Sequence, residues 1–210
     1  RQVKYCGAAG VMNDLGLHAW HLPLRLGWVP AHVHATLQNL VTERPGPDGT
    51  PVDCDTIDNA TITATVDADG SEFPLVVETK RIAPGEKNTW GFRIVGLDGA
   101  VEFTTKYPKT VSVLTAEPQA ALGHLSQEQR WQSIDAGSQA VWPTVTGGIF
   151  EAGFSDAILQ MWAAYLAERA GELGDRFGCV TPREAWTTHR IYEAALASSA
   201  GRSVVAPRLR

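Results

Sequence analysis

Asn59-Ala60-Thr61-Ile62-Thr63-Ala64-Thr65-Val66, then Asp69-Gly70, then Phe73 to Lys80, is the stretch on which the fold turns. Ala60, Ile62, Ala64 and Val66 alternate with Asn59, Thr61, Thr63 and Thr65, the period-two pattern of a strand with one buried face. Asp-Gly is a two-residue hairpin turn, because both positions of such a turn favour positive φ. The pair is therefore predicted to be antiparallel. Upstream, Val29, Ala31, Val33, Ala35 and Leu37 alternate with His32, His34, Thr36 and Gln38, a second strand. Downstream, Trp90 to Val95, Ala100 to Thr104, Thr110 to Thr115 and Arg130 to Asp135 read as further short strands, with a turn over Gly96 to Gly99. Glu43 to Asp55, rich in Pro, Gly and Asp, reads as a loop.

Helices flank the strands. Leu15, His18, Leu22 and Leu26 fall at helical spacing in Val11 to Leu26, with Pro23 as a kink and Gly27 as a stop. A second helix near Ser155 has Ile158, Trp162, Tyr165 and Leu166 as its expected buried stripe and Gly171 as its end. Thr181-Pro182-Arg183-Glu184 joins a capping Thr, Pro at the first helical position and Glu three residues after the cap, so a last helix starts there and ends near Ser199 to Gly201. This order predicts an α+β fold: a large, mostly antiparallel sheet covered on one face by helices. The other face, with its Thr, Gln and His positions, is left for a partner subunit.

Composition narrows the function. The chain has 210 residues, 44% hydrophobic, with a formal net charge of -5. Lys and Arg are scattered, which speaks against a nucleic-acid backbone as partner. No run of about 18 apolar residues exists to span a membrane. Three cysteines, Cys6, Cys54 and Cys179, fit a reducing cytoplasm better than a disulfide scaffold. No glycine-rich phosphate cradle and no Gly-x-Ser-x-Gly elbow is present. His18 with His21, and His32 with His34, do not have the spacing of a zinc ribbon or metalloprotease helix, so no metal is expected. Asp14 and His18, four apart, share a helix face. They form either a surface pair, a core histidine with its partner, or a carboxylate-backed imidazole able to take a proton from an alcohol.

Several stretches together resemble the Gfo/Idh/MocA oxidoreductases. Gly10-Val11-Met12-Asn13-Asp14-Leu15-Gly16-Leu17-His18 resembles that family's Asp-x-x-x-His helix. Leu26-Gly27 with the Val33 strand, Asp58-Asn59-Ala60, Ile94-Val95-Gly96-Leu97-Asp98-Gly99-Ala100-Val101, and the tail from Phe154 through Thr181-Pro182-Arg183-Glu184 to Ser198-Ser199-Ala200 continue the likeness. The resemblance implies that residues 1–210 are the carboxy-terminal substrate and oligomerisation domain. The amino-terminal Rossmann domain for NAD or NADP, and the family's Glu-Lys-Pro, lie outside this sequence. It further implies oxidation of a sugar, cyclitol or related alcohol, with His18 as acid/base, Asp14 as its partner, and His21 and Asn13 at the substrate. Many members carry Asp where this chain has His21. A homodimer or homotetramer through the sheet is implied as well. The alternative is a non-catalytic binding or assembly module of the same fold.

Overall fold

The computed structural model describes residues 2–115, 130–137, 140–144, 149–150 and 153–209. The order is α1 (Val3–Cys6), a π-turn (Met12–Gly16), α2 (Leu17–Arg25), β1 (Pro30–Gln38), β2 (Glu43–Pro45), β3 (Pro51–Asp53), β4 (Asn59–Ala68), β5 (Ser71–Lys80), β6 (Gly91–Val95), β7 (Gly99–Thr104), β8 (Thr110–Thr115), β9 (Gln132–Asp135), α3 (Phe154–Ala170) and α4 (Pro182–Gly201). The α+β class holds, and every described pairing is antiparallel. Among the described residues the strands form three hydrogen-bonded sheets, β1-β4-β5, β2-β3 and β6-β7-β8-β9, in place of the one large sheet that the sequence predicts. Two compact units result: Arg1–Gly85 with Val180–Arg210, and Glu86–Cys179.

The first unit is built on the β4–β5 hairpin. Asp69 and Gly70 both have positive φ, 53° and 76°, and Ala68 faces Ser71, so the turn has two residues. Ala60, Ile62, Ala64 and Val66 are buried as the alternation predicts. In β1 the alternation holds for Val33, Ala35 and Leu37 but fails for Val29 and Ala31, which are exposed. The register shifts between Pro30 and His32. An extra residue at such a bulge reverses which side chains point inward. Beyond it His32, His34, Thr36 and Thr63 lie on the exposed face.

Helix α4 covers the buried face of β1 with Ile191, Tyr192, Ala194, Ala195 and Ser198. The Ser198 hydroxyl accepts from the Ala35 amide at 3.0 Å and donates to the Ser203 carbonyl at 2.5 Å. Val205 exchanges backbone hydrogen bonds with Val33 at 2.8 and 2.9 Å. Ser198 and Val205 thus occupy part of the outer edge of β1, a row of donors and acceptors that would otherwise recruit another strand.

Two further stretches differ from what their sequence predicts. The stretch read as a loop holds the short hairpin β2–β3; three-residue strands bounded by Pro45 and Pro51 are too short to show an alternation. In the second unit, the expected buried stripe of α3 is exposed: Ile158, Trp162, Tyr165 and Leu166 all retain 40% or more of their surface. Leu159 and Met161 are also apolar and exposed, so spacing alone could not single out a buried face. The ends of α3 follow the sequence, with Asp156 accepting from the Gly153 amide at 2.7 Å and Gly171 in the left-handed region at φ 74°. Phe92 faces Phe103 across β6 and β7, and Trp90 packs edge-on against Phe92.

Candidate functional site

The predicted helix Val11 to Leu26 is two structures in one. Met12–Gly16 form a π-turn, and the α-helix begins at Leu17. A π-turn closes over one residue more than an α-turn and often marks a functional segment. This π-turn is closely packed. Gly16 is buried against Tyr192 of α4, and a side chain there would meet the Tyr192 ring at 2.8 Å from Cζ. The approach is anchored upstream by Gly10, at φ 50°, and by the Val11 amide donating to the Ile57 carbonyl at 2.9 Å. Met12 and Trp20, both fully buried, fasten the segment to the core.

Against that anchorage, Asp14 and His18 are exposed, while Asn13 and His21 are half-buried. Asp14 pairs with Arg81, a residue that sequence reasoning missed. Arg81 follows β5 directly, and its mount is rigid. Its amide donates to the Asp58 carbonyl at 2.9 Å. The Asn59 side chain brackets the next residue, donating to the Ile82 carbonyl at 3.2 Å and accepting from its amide at 3.1 Å. Buried Asp58 accepts from the Leu40 and Val41 amides at 3.0 and 2.8 Å. Asp58-Asn59 therefore acts as a clamp on the backbone that carries Arg81.

His21 faces a second missed group. Its buried Nδ1 lies 3.3 Å from Glu184 Oε1, and Arg25 Nε donates to the same oxygen at 2.7 Å. Glu184 Oε2 accepts from the Thr181 amide at 2.9 Å, and Thr181 Oγ1 accepts from the Glu184 amide at 3.2 Å. The capping box read from the sequence is thus formed, and its carboxylate also ties α4 to α2. Burial and the nearby Arg25 hold His21 below the ordinary histidine range, although Glu184 pulls the other way. Burial alone would raise Glu184, but its bonds from Arg25 and Thr181 hold it below the ordinary carboxylate range.

These directions set a pH dependence. Folded His21 stays neutral while the unfolded chain takes up a proton below about pH 6.5, so its contribution to stability falls on acidification through that value. Glu184 contributes stability that is present above its ordinary value of about 4.3 and is lost as pH falls through its lower folded value. Thermal melts from pH 8 to 4 are expected to show a midpoint falling below about pH 6.5. His21→Leu should flatten the first part of that fall; an unchanged slope would contradict the assignment.

Among the described residues, no group of three His, Cys, Asp or Glu side chains lies close enough to hold a metal ion, and no helix is long and apolar enough to cross a membrane. No known family profile and no curated protein sequence matches the chain. Solved structures do. Levoglucosan dehydrogenase in its apo form superposes with a TM-score of 0.78 and 21% identity, over 100% of this chain and 54% of its own. The chain has the fold of the Gfo/Idh/MocA-type oxidoreductases. An oxidoreductase domain protein from Kribbella flavida gives a TM-score of 0.74 and 22% identity over 96% of this chain and 52% of its own. The levoglucosan dehydrogenase structures include complexes with NADH and levoglucosan and with NADH and L-sorbose. A super-repressor mutant of Gal80p from Saccharomyces cerevisiae shares the Gfo/Idh/MocA-type fold more distantly, with a TM-score of 0.59 and 14% identity over 94% of this chain and 50% of its own. The chain spans about half the length of these structures.

Proposed function

We propose that this chain is the substrate-binding and oligomerisation part of an NAD(P)-dependent dehydrogenase of the Gfo/Idh/MocA family, acting on a sugar, cyclitol or related alcohol. One observation carries the reading. The Asp14–His18 segment is pinned from beneath by Met12, Gly16 and Trp20, yet keeps Asp14, paired with Arg81, and His18 exposed on the outer side. A group that exchanges a proton with a substrate needs such a fixed backbone and one open side. The similarity to levoglucosan dehydrogenase, solved with NADH and sugars, supports the substrate class.

In this reading His18 takes the hydroxyl proton as hydride leaves the substrate carbon. Asp14, held by Arg81, is its charged partner. Asn13 and His21 contact the substrate. Hydride acceptance is the chemistry a nicotinamide supplies. The described residues do not fit that group: their strands pair only antiparallel, and no strand–glycine–helix unit is formed among them. No part of the nucleotide is assigned to them. The exposed face of β1 and β4, with His32, His34 and Thr63, would join copies as a homodimer or homotetramer in the cytoplasm.

The repressor neighbour favours a second reading, a non-catalytic binding module on this fold. Incubating the intact gene product with NAD or NADP and a panel of anhydro-sugars, aldoses, ketoses and cyclitols separates the two. Nicotinamide reduction with at least one alcohol is expected. Cofactor binding without reduction by any of them would favour the module.

A further inference from the structure

We propose that Arg81 contacts the ligand and sets its specificity: beside the bond that holds Asp14, its guanidinium donates to a hydroxyl oxygen of an uncharged polyol. The proposal rests on the reading of the Asp14–His18 segment as the substrate side. It goes beyond that reading by naming a further contact residue and by setting acidic and phosphorylated sugars aside.

The first observation is how the side chain is held. The Arg81 amide donates to the Asp58 carbonyl at 2.9 Å, and the Asn59 side chain brackets Ile82 next to it. The Arg81 side chain keeps only 20% of its surface, whereas Asp14 keeps 56%. An ordinary surface ion pair joins two mobile side chains and contributes little. Here the backbone on the arginine side is clamped and most of the side chain is covered, so the guanidinium stands at a fixed place beside Asp14.

The second observation is which donors remain. Nη2 of Arg81 donates to Asp14 Oδ2. Among the described residues Nε and Nη1 have no hydrogen-bond partner, and neither is shut off from solvent. An arginine side chain has N–H donors on all three nitrogens and no acceptor. Donors left over on a mostly covered cation are satisfied only by water or by an oxygen that a ligand brings, and a charged donor held short of partners is unfavourable.

The third observation is the chemistry of the pair. The Asp14 carboxylate can only accept and Arg81 can only donate, whereas a hydroxyl does both. Neighbouring hydroxyls of a polyol therefore suit the two side chains together. A ligand carboxylate or phosphate would suit Arg81 but would stand against the negative charge of Asp14. The basic residues of α2 and β5 offer no replacement: Arg25 is matched by Glu184 at 2.7 Å and Lys80 by Glu78 at 2.6 Å. Charge on these elements is balanced pair by pair, which favours an uncharged ligand.

The test is calorimetric titration of the intact gene product, in the presence of NADH, with levoglucosan, D-glucose, myo-inositol, D-glucuronate and D-glucose 6-phosphate. At least one uncharged polyol is expected to bind, and both charged sugars to bind about tenfold more weakly or worse. Arg81→Met should weaken binding of the uncharged polyol by about tenfold or more, the worth of a hydrogen bond from a charged donor. Arg81→Lys, which keeps a charged donor, should recover part of the loss. The same comparison in an Asp14→Ala background separates contact from support. A direct contact is lost there too, whereas an arginine that only holds Asp14 has nothing left to lose. Wild-type affinity in Arg81→Met, or no further loss in the Asp14→Ala background, would overturn the proposal. So would a charged sugar binding as tightly as the best uncharged one, or no binding by any uncharged polyol; neither result needs a variant to fold. Binding without nicotinamide reduction would remove the dehydrogenase reading and leave this contact standing. Reduction with an unchanged KM for the alcohol in Arg81→Met would do the reverse.

Discussion

Gly16→Ala is expected to lower the thermal midpoint by about 10 °C, although Ala is ordinarily the better helix residue by about 1 kcal/mol. The reversal comes from packing. Gly16 lies beneath the Tyr192 hydroxyl, and a Cβ would meet Tyr192 Cζ at 2.8 Å and Cε1 at 3.2 Å. Tyr192 is buried in the core beside Ile191, so it cannot swing outward without opening the helix–sheet interface. Overpacking of this kind costs about 1–3 kcal/mol, and at roughly 2–4 °C per kcal/mol for a chain this long the upper end gives the stated shift. The Tyr192 hydroxyl has no hydrogen-bond partner in the described structure, and burial raises its pKa well above the ordinary tyrosine value. Tyr192→Phe should therefore keep or raise stability, since removing an unsatisfied buried hydroxyl is near neutral. The Gly16→Ala, Tyr192→Phe double variant should recover part of the loss. A Gly16→Ala midpoint at or above the wild type would show that Tyr192 does not crowd Gly16.

That turn also marks where the sequence stops being legible. The signals that could be read are local. Asp69-Gly70 needs only two φ values, Thr181-Pro182-Arg183-Glu184 only one turn of helix, and Ala60 to Val66 only one strand with a dry face. Each is decided by neighbours a few residues away. The π-turn packs its Gly16 against Tyr192, far along the chain, a contact that helical spacing through Leu15 and His18 does not contain. The bulge at Pro30 and His32 is likewise a property of the pairing with β4, and it moved Val29 and Ala31 to the outside.

The same division runs through the candidate site. Asp14 and His18 stand four apart in the sequence, so the pair could be read locally, although Asp14 lies in the π-turn and His18 in α2. Arg81 could not, because only the β4–β5 hairpin and the Asp58-Asn59 clamp bring it to Asp14. In the sequence Glu184 is a cap and nothing else, because its contact with His21 depends on α4 packing against α2. A charged residue just past a strand end and a capping carboxylate are common features, and neither carries a functional signal by itself.

The proposed transfer of the substrate proton to His18 is tested most directly by His18→Ala in the intact gene product. His18 is exposed, so removing it should leave the thermal midpoint nearly unchanged, within about 0.5 kcal/mol of stability. A change in turnover would then report on chemistry rather than folding. Loss of a general base lowers rates by about 10²–10⁴-fold. Turnover measured at saturating alcohol and cofactor is predicted to fall by about a hundredfold or more. A folded His18→Ala enzyme that turns over at the wild-type rate would contradict the assignment.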